Sequence, residues 1–207
     1  MSHVSDHGQL MDDVYRVQRL FYDSTRKYYL LGRDHMIAQM QVQPGDSILE
    51  LACGTGRNLD AIHRQHPYAN LYGLDISDQM LRSARRKLRG RARLARADAC
   101  AFDPAALFGE AQFEHIVFSY SLSMIPDWQR ALDEAARHLA PGGTLHIVDF
   151  GDQAALPRWA RRGLRAWLAR FHVEPRDRLF ETLGNMRGTA QTASLYRGYA
   201  YHATLTP

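Results

Sequence analysis

Apolar segments typical of buried strands alternate along this chain with segments typical of amphipathic helices. The strand-like segments are SILELAC, LYGLDIS, ARLARADAC, EHIVFSYS and TLHIVDFGD, and helix-like segments such as RNLDAIHRQH, QMLRSARRKLRG and WQRALDEAARHLA separate them. This alternation predicts an α/β fold in which helices cover both faces of a parallel sheet. The turn residues PG at 44–45 and PGG at 141–143 agree, the latter preceding a strand predicted to begin at Thr144. The final segment ASLYRGYAYHATL predicts one more strand.

Ahead of the first strand, the stretch FYDSTRKYYLLGRDHM at residues 21–36 is rich in tyrosine and cations. Helical spacing would place Tyr22, Arg26, Tyr29 and Arg33 on one stripe. Such a stripe either recognises a ligand that carries both charges or forms the polar-tipped outer face of a packed helix. Gly32 would interrupt the helix just before Arg33, because glycine is a poor helix former.

The size and composition predict one domain. The chain has 207 residues, a length that is sufficient for a single core without disulfides. Its formal net charge is +4. We expect an N-terminal helical lid at 1–43, a core at 44–152, and a basic helix with a C-terminal strand at 153–207. No segment approaches the roughly 20 apolar residues of a membrane span, and no signal peptide precedes the core. These two features predict a cytoplasmic protein. Cys53 and Cys100 provide neither a disulfide framework nor a metal site, so we expect no bound metal.

Basic residues are unevenly distributed. Eight lie between Gln79 and Ala97 without a single acidic residue. A run of this kind favours an anionic partner or forms a solvated helix face. Nucleic acid is the less favoured partner, because no aromatic residues interleave with these arginines as they do in single-strand binders.

The first predicted strand ends in a glycine-containing turn, ELACGTGRN. Gly54 and Gly56 allow positive φ and a close approach of backbone to ligand. A dinucleotide-binding loop would require a third glycine where Leu59 stands, and the GK[ST] of a phosphate-binding P-loop is missing. Neither of these nucleotide sites is therefore predicted.

At these residues the sequence resembles the class I S-adenosylmethionine-dependent methyltransferases. ILELACGTGRN resembles their first motif, LYGLDIS the second, RADAC the third, FEHIVFSYSLSMIPD the fourth, and LAPGGTLHIVDFGD the late loop and strand. The resemblance covers roughly residues 46–152. It implies a Rossmann-like seven-stranded, mostly parallel sheet whose last strand is antiparallel, with S-adenosyl-L-methionine as the cofactor.

The resemblance also implies which residues hold this cofactor. Asp75 would accept hydrogen bonds from the ribose hydroxyls, because a carboxylate has two acceptor oxygens. The other positions implied around the cofactor are Glu50, Ala52, Gly54, Gly56 and Asn58 of the first motif, Ile76, Met80, Asp98 and Ala99 beside the adenine, and Ser119 at the methyl-transfer end. Arg33 would bind a carboxylate, either that of the cofactor or that of the substrate.

Segments outside these motifs resemble bacterial betaine-lipid N-methyltransferases. They are YDSTRKYYLLGRD, SYSLSMIPDW, DFGDQ and RGYAYHA. The resemblance implies three successive methyl transfers to the amine of diacylglyceryl-homoserine, with phosphatidylethanolamine as the alternative acceptor. Because aromatic faces attract a quaternary amine, Tyr22, Tyr28, Tyr29, Tyr120 and Tyr199 are candidates for the residues around the amine. The other predicted substrate positions are Arg26, His35, Ser121 and Met124.

Two further features bear on a lipid substrate. LPRWARRGLRAWLARF at 156–171 combines tryptophan and leucine with arginine. Such a helix either lies on an anionic membrane surface, which implies peripheral association with the inner face, or packs on the sheet with an arginine-rich outer side. The group that accepts the amine proton stays open among His35, His146, Asp149 and a tyrosine oxygen, and the sequence leaves the oligomeric state open.

Overall fold

The computed structural model describes residues 30–171 and 173–207, and its regular elements follow the predicted alternation. In chain order they are α1 Arg33–Gln39, β1 Ser47–Leu51, α2 Arg57–Gln65, β2 Asn70–Asp75, α3 Asp78–Leu88, β3 Arg93–Arg96, α4 Pro104–Phe108, β4 Phe113–Ser119, α5 Trp128–Arg137, β5 Leu139–Phe150, α6 Arg158–Ala169, α7 Leu179–Asn185, β6 Thr189–Leu195 and β7 Ala200–Thr206.

The described strands form one seven-stranded sheet in the order β3-β2-β1-β4-β5-β7-β6. The first five strands pair in parallel, whereas β7 is antiparallel to β5 and β6 is antiparallel to β7. The predicted Rossmann-like, mostly parallel sheet with helices on both faces is therefore confirmed. Because the order reverses direction beside β1, the carboxyl ends of β1 and its parallel neighbours β2 and β4 meet at one edge, where ligands bind in such sheets.

Two strand predictions at the C-terminal half were wrong in detail. ASLYRGYAYHATL is not one strand, because Tyr196, Arg197 and Gly198 all have positive φ and turn the chain between β6 and β7. Residues 153–207 thus contribute two helices and a hairpin, not a single helix and a single strand. In addition, β5 begins at Leu139, not at Thr144, and its pairing with β4 shifts register between Phe113 and His115.

Alternating side chains of the strands build one core on each face of the sheet. Leu49, Ile116 and Ile147 belong to the core beneath α4, α5 and α7, whereas Ile48, Val117 and Val148 belong to the core beneath α1, α2, α3 and α6. This is the period of two that a strand imposes. Both faces are covered by helices, as the apolar strands of a parallel sheet require.

Three histidines interrupt the second of these cores. His115 on β4, His146 on β5 and His202 on β7 are all buried. The His115 Nδ1 and His146 Nε2 atoms lie 3.1 Å apart, and His115 Nε2 lies 3.2 Å from Asp46 Oδ2. Together with His35, whose ring centroid is 5.6 Å from that of His202, they border a cavity of about 460 Å³. We refer to His115, His146 and His202 as the histidine cluster.

Candidate active site

At the carboxyl edge of the sheet, backbone amides hold the carboxylate that ends β2. Asp75 Oδ2 accepts the Gly54 N–H at 2.8 Å, and Asp75 Oδ1 accepts the Ser77 N–H at 2.8 Å. These bonds join the turn after β1 to the turn after β2. Each carboxylate oxygen can accept a further hydrogen bond, so a ligand hydroxyl at this edge has an ordered acceptor.

The turn after β1 requires both of its glycines, for different reasons. Gly54 has φ of 55°, and a Cβ added there would meet no atom within 4 Å, so space beside its backbone is open to a ligand. Gly56 has φ of 73°, and a Cβ there would lie 2.9 Å from Leu88 Cδ1 on α3. The first glycine therefore leaves room for a bound group, and the second allows α3 to pack against the turn.

A cleft of about 330 Å³ opens beside this turn. Four of the predicted cofactor positions line it, namely Ala52, Ile76, Asp98 and Ala99. Its walls are mostly apolar, and Asp98 Oδ1 accepts the Cys100 N–H at 2.9 Å, which fixes the carboxylate. Apolar walls with the fixed Asp98 carboxylate suit a flat heterocycle that carries an amino group.

A buried carboxylate forms the floor beneath the glycine turn. Glu50 Oε1 accepts a hydrogen bond from Asn58 Nδ2 at 2.7 Å, while Glu50 Oε2 is buried without a hydrogen-bond partner in the described part of the chain. Burial raises the pKa of Glu50 to about 7, and the Asn58 hydrogen bond and the nearby Arg33 oppose that rise. An acceptor left open in this way suits a cationic group of a ligand.

Arg33 is the first residue of α1 and follows a glycine with positive φ. Gly32 has φ of 87° and precedes the first residue of α1, so a continuous helix does not connect Arg33 with the residues before Gly32. The Arg33 side chain is buried, its Nε donates to the Leu30 carbonyl at 3.2 Å, and its charge acts on Glu50. Tyr22, Arg26, Tyr28 and Tyr29 lie outside the described residues, so their roles stay predictions.

Aromatic rings line the end of β4 and β5. The ring centroids of Tyr120 and Phe150 are 4.7 Å apart, and those of Phe150 and Tyr199 are 5.9 Å apart. The Tyr120 hydroxyl donates to the Leu31 carbonyl, which ties the chain ahead of α1 to the end of β4. Because the hydroxyl proton is engaged in this bond, Tyr120 does not donate a hydrogen bond to a ligand.

The remaining predicted site residues do not line the cleft. Ser119 and Ser121 place hydroxyls without hydrogen-bond partners, among the described residues, where the chain leaves β4, and Met124 follows in the same loop. Met80 is buried on α3 but is not one of the cleft-lining residues. His35 borders the cavity of the histidine cluster, which shares no lining residue with the cleft.

The candidate proton acceptors separate in the same way. His146 belongs to the histidine cluster, and burial lowers its pKa to about 3. Asp149 is buried at the end of β5, where its oxygens accept the Ser123 and Phe150 N–H groups, and burial raises its pKa. Of the named acid–base groups, Asp149 is thus the one beside the loop after β4.

Several residues at the cleft were not predicted from sequence. Ile125, Pro126, Asp127 and Arg130, together with Cys100, form its outer wall. Ile125 and Pro126 end the SYSLSMIP segment and Asp127 follows it directly, so their position after the fourth strand was the available signal. Arg176, which contacts the same loop from the C-terminal part of the chain, gave no signal in the sequence.

Comparison with known proteins agrees with this geometry. Residues 48–143 match the family model described as a methyltransferase domain. A demethylmenaquinone methyltransferase of Listeria welshimeri is 29% identical over 135 residues, which cover 64% of this chain and 56% of that protein. The chain thus spans little more than half the length of this relative.

Solved structures share the fold at low sequence identity. A chain of the complex between the Haloferax volcanii Trm112 methyltransferase activator and a putative methyltransferase superposes with a TM-score of 0.73 at 16% identity, covering 89% of this chain and 92% of that one. Phosphoethanolamine N-methyltransferase 2 of Haemonchus contortus superposes with a TM-score of 0.66 at 16% identity, covering 79% and 38%. These superpositions show that the chain has the fold that its motifs predicted.

Proposed function

We propose that this chain is an S-adenosylmethionine-dependent N-methyltransferase that converts diacylglyceryl-homoserine to diacylglyceryl-N,N,N-trimethylhomoserine by three successive transfers. The observation that carries the methyl-transfer activity is the ordered Asp75 carboxylate beside the open backbone of Gly54. It lies within the part of the chain that matches the methyltransferase domain.

The residues at the carboxyl edge fit the cofactor group by group. Asp75 would bind the ribose hydroxyls, Asp98 would accept from the adenine amino group, and Ile76 and Ala99 would flank its ring. The open oxygen of Glu50 suits the ammonium of the methionine part, and Arg33 suits a carboxylate. When bound, the cofactor supplies an electrophilic methyl group on a sulfonium sulfur.

The chain's own contribution to the reaction is then orientation and exclusion of water. An amine nitrogen accepts a methyl group only when its lone pair is free, so the acceptor must lose a proton before each of the three transfers. We propose Asp149 as the group that accepts this proton. It lies beside the loop after β4, where its Oδ2 accepts the Ser123 N–H. Tyr199 is partly exposed and packs beside the buried ring of Phe150. We propose that its face attracts an increasingly quaternary ammonium, by roughly 0.5 to 2 kcal/mol.

A surface helix supports a lipid acceptor. Trp159 on α6 is 80% exposed, and Arg158, Arg162 and Arg170 are exposed without an ion pair among the described residues. Arg165 differs, because its Nη2 lies 2.7 Å from Asp177 Oδ1. No helix in the described part of the chain has the length and apolarity to cross a membrane. We propose that α6 rests on an anionic inner membrane surface and that the partner is lipid, not nucleic acid.

Two other acceptors compete in this proposal. Phosphatidylethanolamine offers a primary amine on a diacylated lipid, and the Haemonchus structure shows that an N-methyltransferase shares this fold. Demethylmenaquinone is the other competing acceptor, because the Listeria relative is named for it.

The decisive experiment supplies methyl-labelled S-adenosylmethionine with each of the three acceptors in mixed vesicles. Mono-, di- and trimethylated products of diacylglyceryl-homoserine are expected, with little label in the other two lipids. Binding of the cofactor is measured in parallel by calorimetry. Intact cofactor binding with no label in the homoserine lipid would reject this acceptor, and label in either of the other lipids would name its replacement.

The α6 surface makes a separate prediction. Replacing Arg158, Arg162 and Arg170 with glutamine should weaken binding to vesicles of phosphatidylcholine and phosphatidylglycerol by about 100-fold, because each cation near an anionic leaflet is worth about 1 kcal/mol. The matched control replaces Arg64, Arg137 and Arg178, which form surface ion pairs elsewhere. Sedimentation with the vesicles measures both. Equal weakening in the two triple variants would mean that α6 has no special role.

A further inference from the structure

A short segment after α6 lies against the loop that follows β4. We call residues 173–177 the connecting segment and residues 121–127 the acceptor loop. The Val173 N–H donates to the Leu168 carbonyl at 3.2 Å, and the Glu174 N–H donates to the Ser123 carbonyl at 2.9 Å. The connecting segment therefore leaves α6 and bonds directly to the acceptor loop.

Arg176 makes the most extensive of these contacts. Its Nε donates to the Leu122 carbonyl at 3.0 Å, and its Nη2 donates to the Ile125 carbonyl at 2.8 Å. Its Nη1 lies 3.0 Å from Glu174 Oε2, and the side chain is only 12% exposed. Because the acceptor loop is a series of turns and not a helix, its carbonyls depend on such donors from elsewhere in the chain.

The acceptor loop forms part of two functional surfaces. At its far end, Ile125, Pro126 and Asp127 line the cleft beside Ile76 and Asp98. At its near end, the Ser123 N–H donates to Asp149 Oδ2 at 3.0 Å. A shift of this loop would therefore move the outer wall of the cleft.

The other side of the connecting segment is also fixed. Asp177 pairs with Arg165 on α6, and Arg165 Nε donates to Gln153 Oε1 at 3.0 Å. The guanidinium of Arg176 is thus held between an anchored segment and the loop, which favours one geometry for its planar fork.

We propose that Arg176 is a positioning residue, which holds the acceptor loop where its wall closes the cofactor cleft. It acts through the carbonyls of Leu122 and Ile125 and does not touch the reacting atoms. The inference rests on the proposed function only in taking S-adenosylmethionine as the occupant of the cleft.

Arg176→Gln and Arg176→Lys test this role in the full chain. Both are expected to raise the Kd for S-adenosylmethionine about tenfold, which corresponds to about 1.4 kcal/mol. Lysine should not rescue, because one ammonium cannot reproduce a planar fork that spans two carbonyls. The KM for the cofactor should rise in parallel, while kcat stays within about twofold, as expected for lost binding. Arg178→Gln is the matched control, since Arg178 pairs with Glu181 on the surface.

Hydrogen exchange in the protein without cofactor provides the independent readout. Amides of residues 121–127 should exchange faster in both Arg176 variants and at the wild-type rate in Arg178→Gln. A lower unfolding temperature with unchanged Kd and unchanged exchange would overturn the inference, because the role would then be structural only. If Arg176→Gln does not fold, Arg176→Lys carries the test alone. A wild-type chain that fails to bind S-adenosylmethionine would instead reject the proposed function, and the exchange rates would still decide whether Arg176 orders the loop.

Discussion

Asp75→Ala should lower the affinity for S-adenosylmethionine by at least about 100-fold. The variant removes the proposed ribose acceptor and also leaves the Gly54 and Ser77 N–H groups, now bonded at 2.8 Å each, without this carboxylate. Hydrogen bonds to a charged group are worth about 1.5 to 3 kcal/mol each. Losing the bonds from the two ribose hydroxyls should therefore cost about 3 kcal/mol or more of binding free energy. Titration calorimetry with the cofactor measures the effect.

Asp78→Ala is the control for this variant. Asp78 lies in the first turn of α3 and pairs with Arg96 at 3.0 Å on the surface. Removal of such an exposed pair should change cofactor affinity by less than about twofold. If Asp75→Ala retained wild-type affinity, the ribose would not bind at the end of β2, and the assignment of the whole edge would fail with it.

Acidification should destabilise the fold through the histidine cluster. Burial lowers the pKa values of His115, His146 and His202, that of His146 to about 3 against an ordinary 6.5. Between these two values the unfolded chain binds more protons than the folded chain, so stability falls as the pH decreases. The titration of His146 leaves the free energy of unfolding unchanged above about pH 7 and lowers it by about 3 kcal/mol at pH 4.

Urea unfolding at pH 7 and at pH 4 measures this loss. His146→Gln should lose about 2 to 3 kcal/mol less than the wild type between these pH values, because glutamine does not titrate. His63→Gln, on the half-exposed side of α2, is the control and should follow the wild type. His115 also faces Asp46 and Glu114, and His202 faces His35, so the contribution of His146 is read from the difference between variants. An identical loss in His146→Gln would contradict the assignment.

Most of the fold was predictable because its signals are local. Strand period, helix period and turn residues together predicted β1 to β5 and the helices α2, α3 and α5, including both glycines of the turn after β1, but not the short helix α4. The hairpin of β6 and β7 was missed because only Gly198 of its turn is a typical turn residue, whereas Tyr196 and Arg197 adopt positive φ at 52° and 60°. Nothing in the identity of those two residues predicts that conformation.

The candidate site shows the same difference between residues with local sequence signals and residues whose role depends on tertiary contacts. The proposed cofactor residues at motif positions, such as Asp75 and Asp98, lie at the carboxyl edge of the sheet. Arg176 lies 54 positions from Leu122 in sequence, and its value depends on a tertiary contact that no local pattern contains. The histidine cluster was missed for a similar reason, since His115, His146 and His202 share a face only once the pairing of β4, β5 and β7 is known.

The composition of the two outer strands has a consequence for how this protein behaves at high concentration. Within the described part of the chain, the sheet ends at β3, which carries Arg93 and Arg96, and at β6, whose sequence is TAQTASL. A row of unpaired backbone groups at a sheet edge invites strands of other molecules to add, and charged or small polar side chains discourage this addition. Copies of the chain crowded together would therefore resist edge-to-edge aggregation, whereas isoleucine or valine in place of Gln191 and Thr192 would promote it.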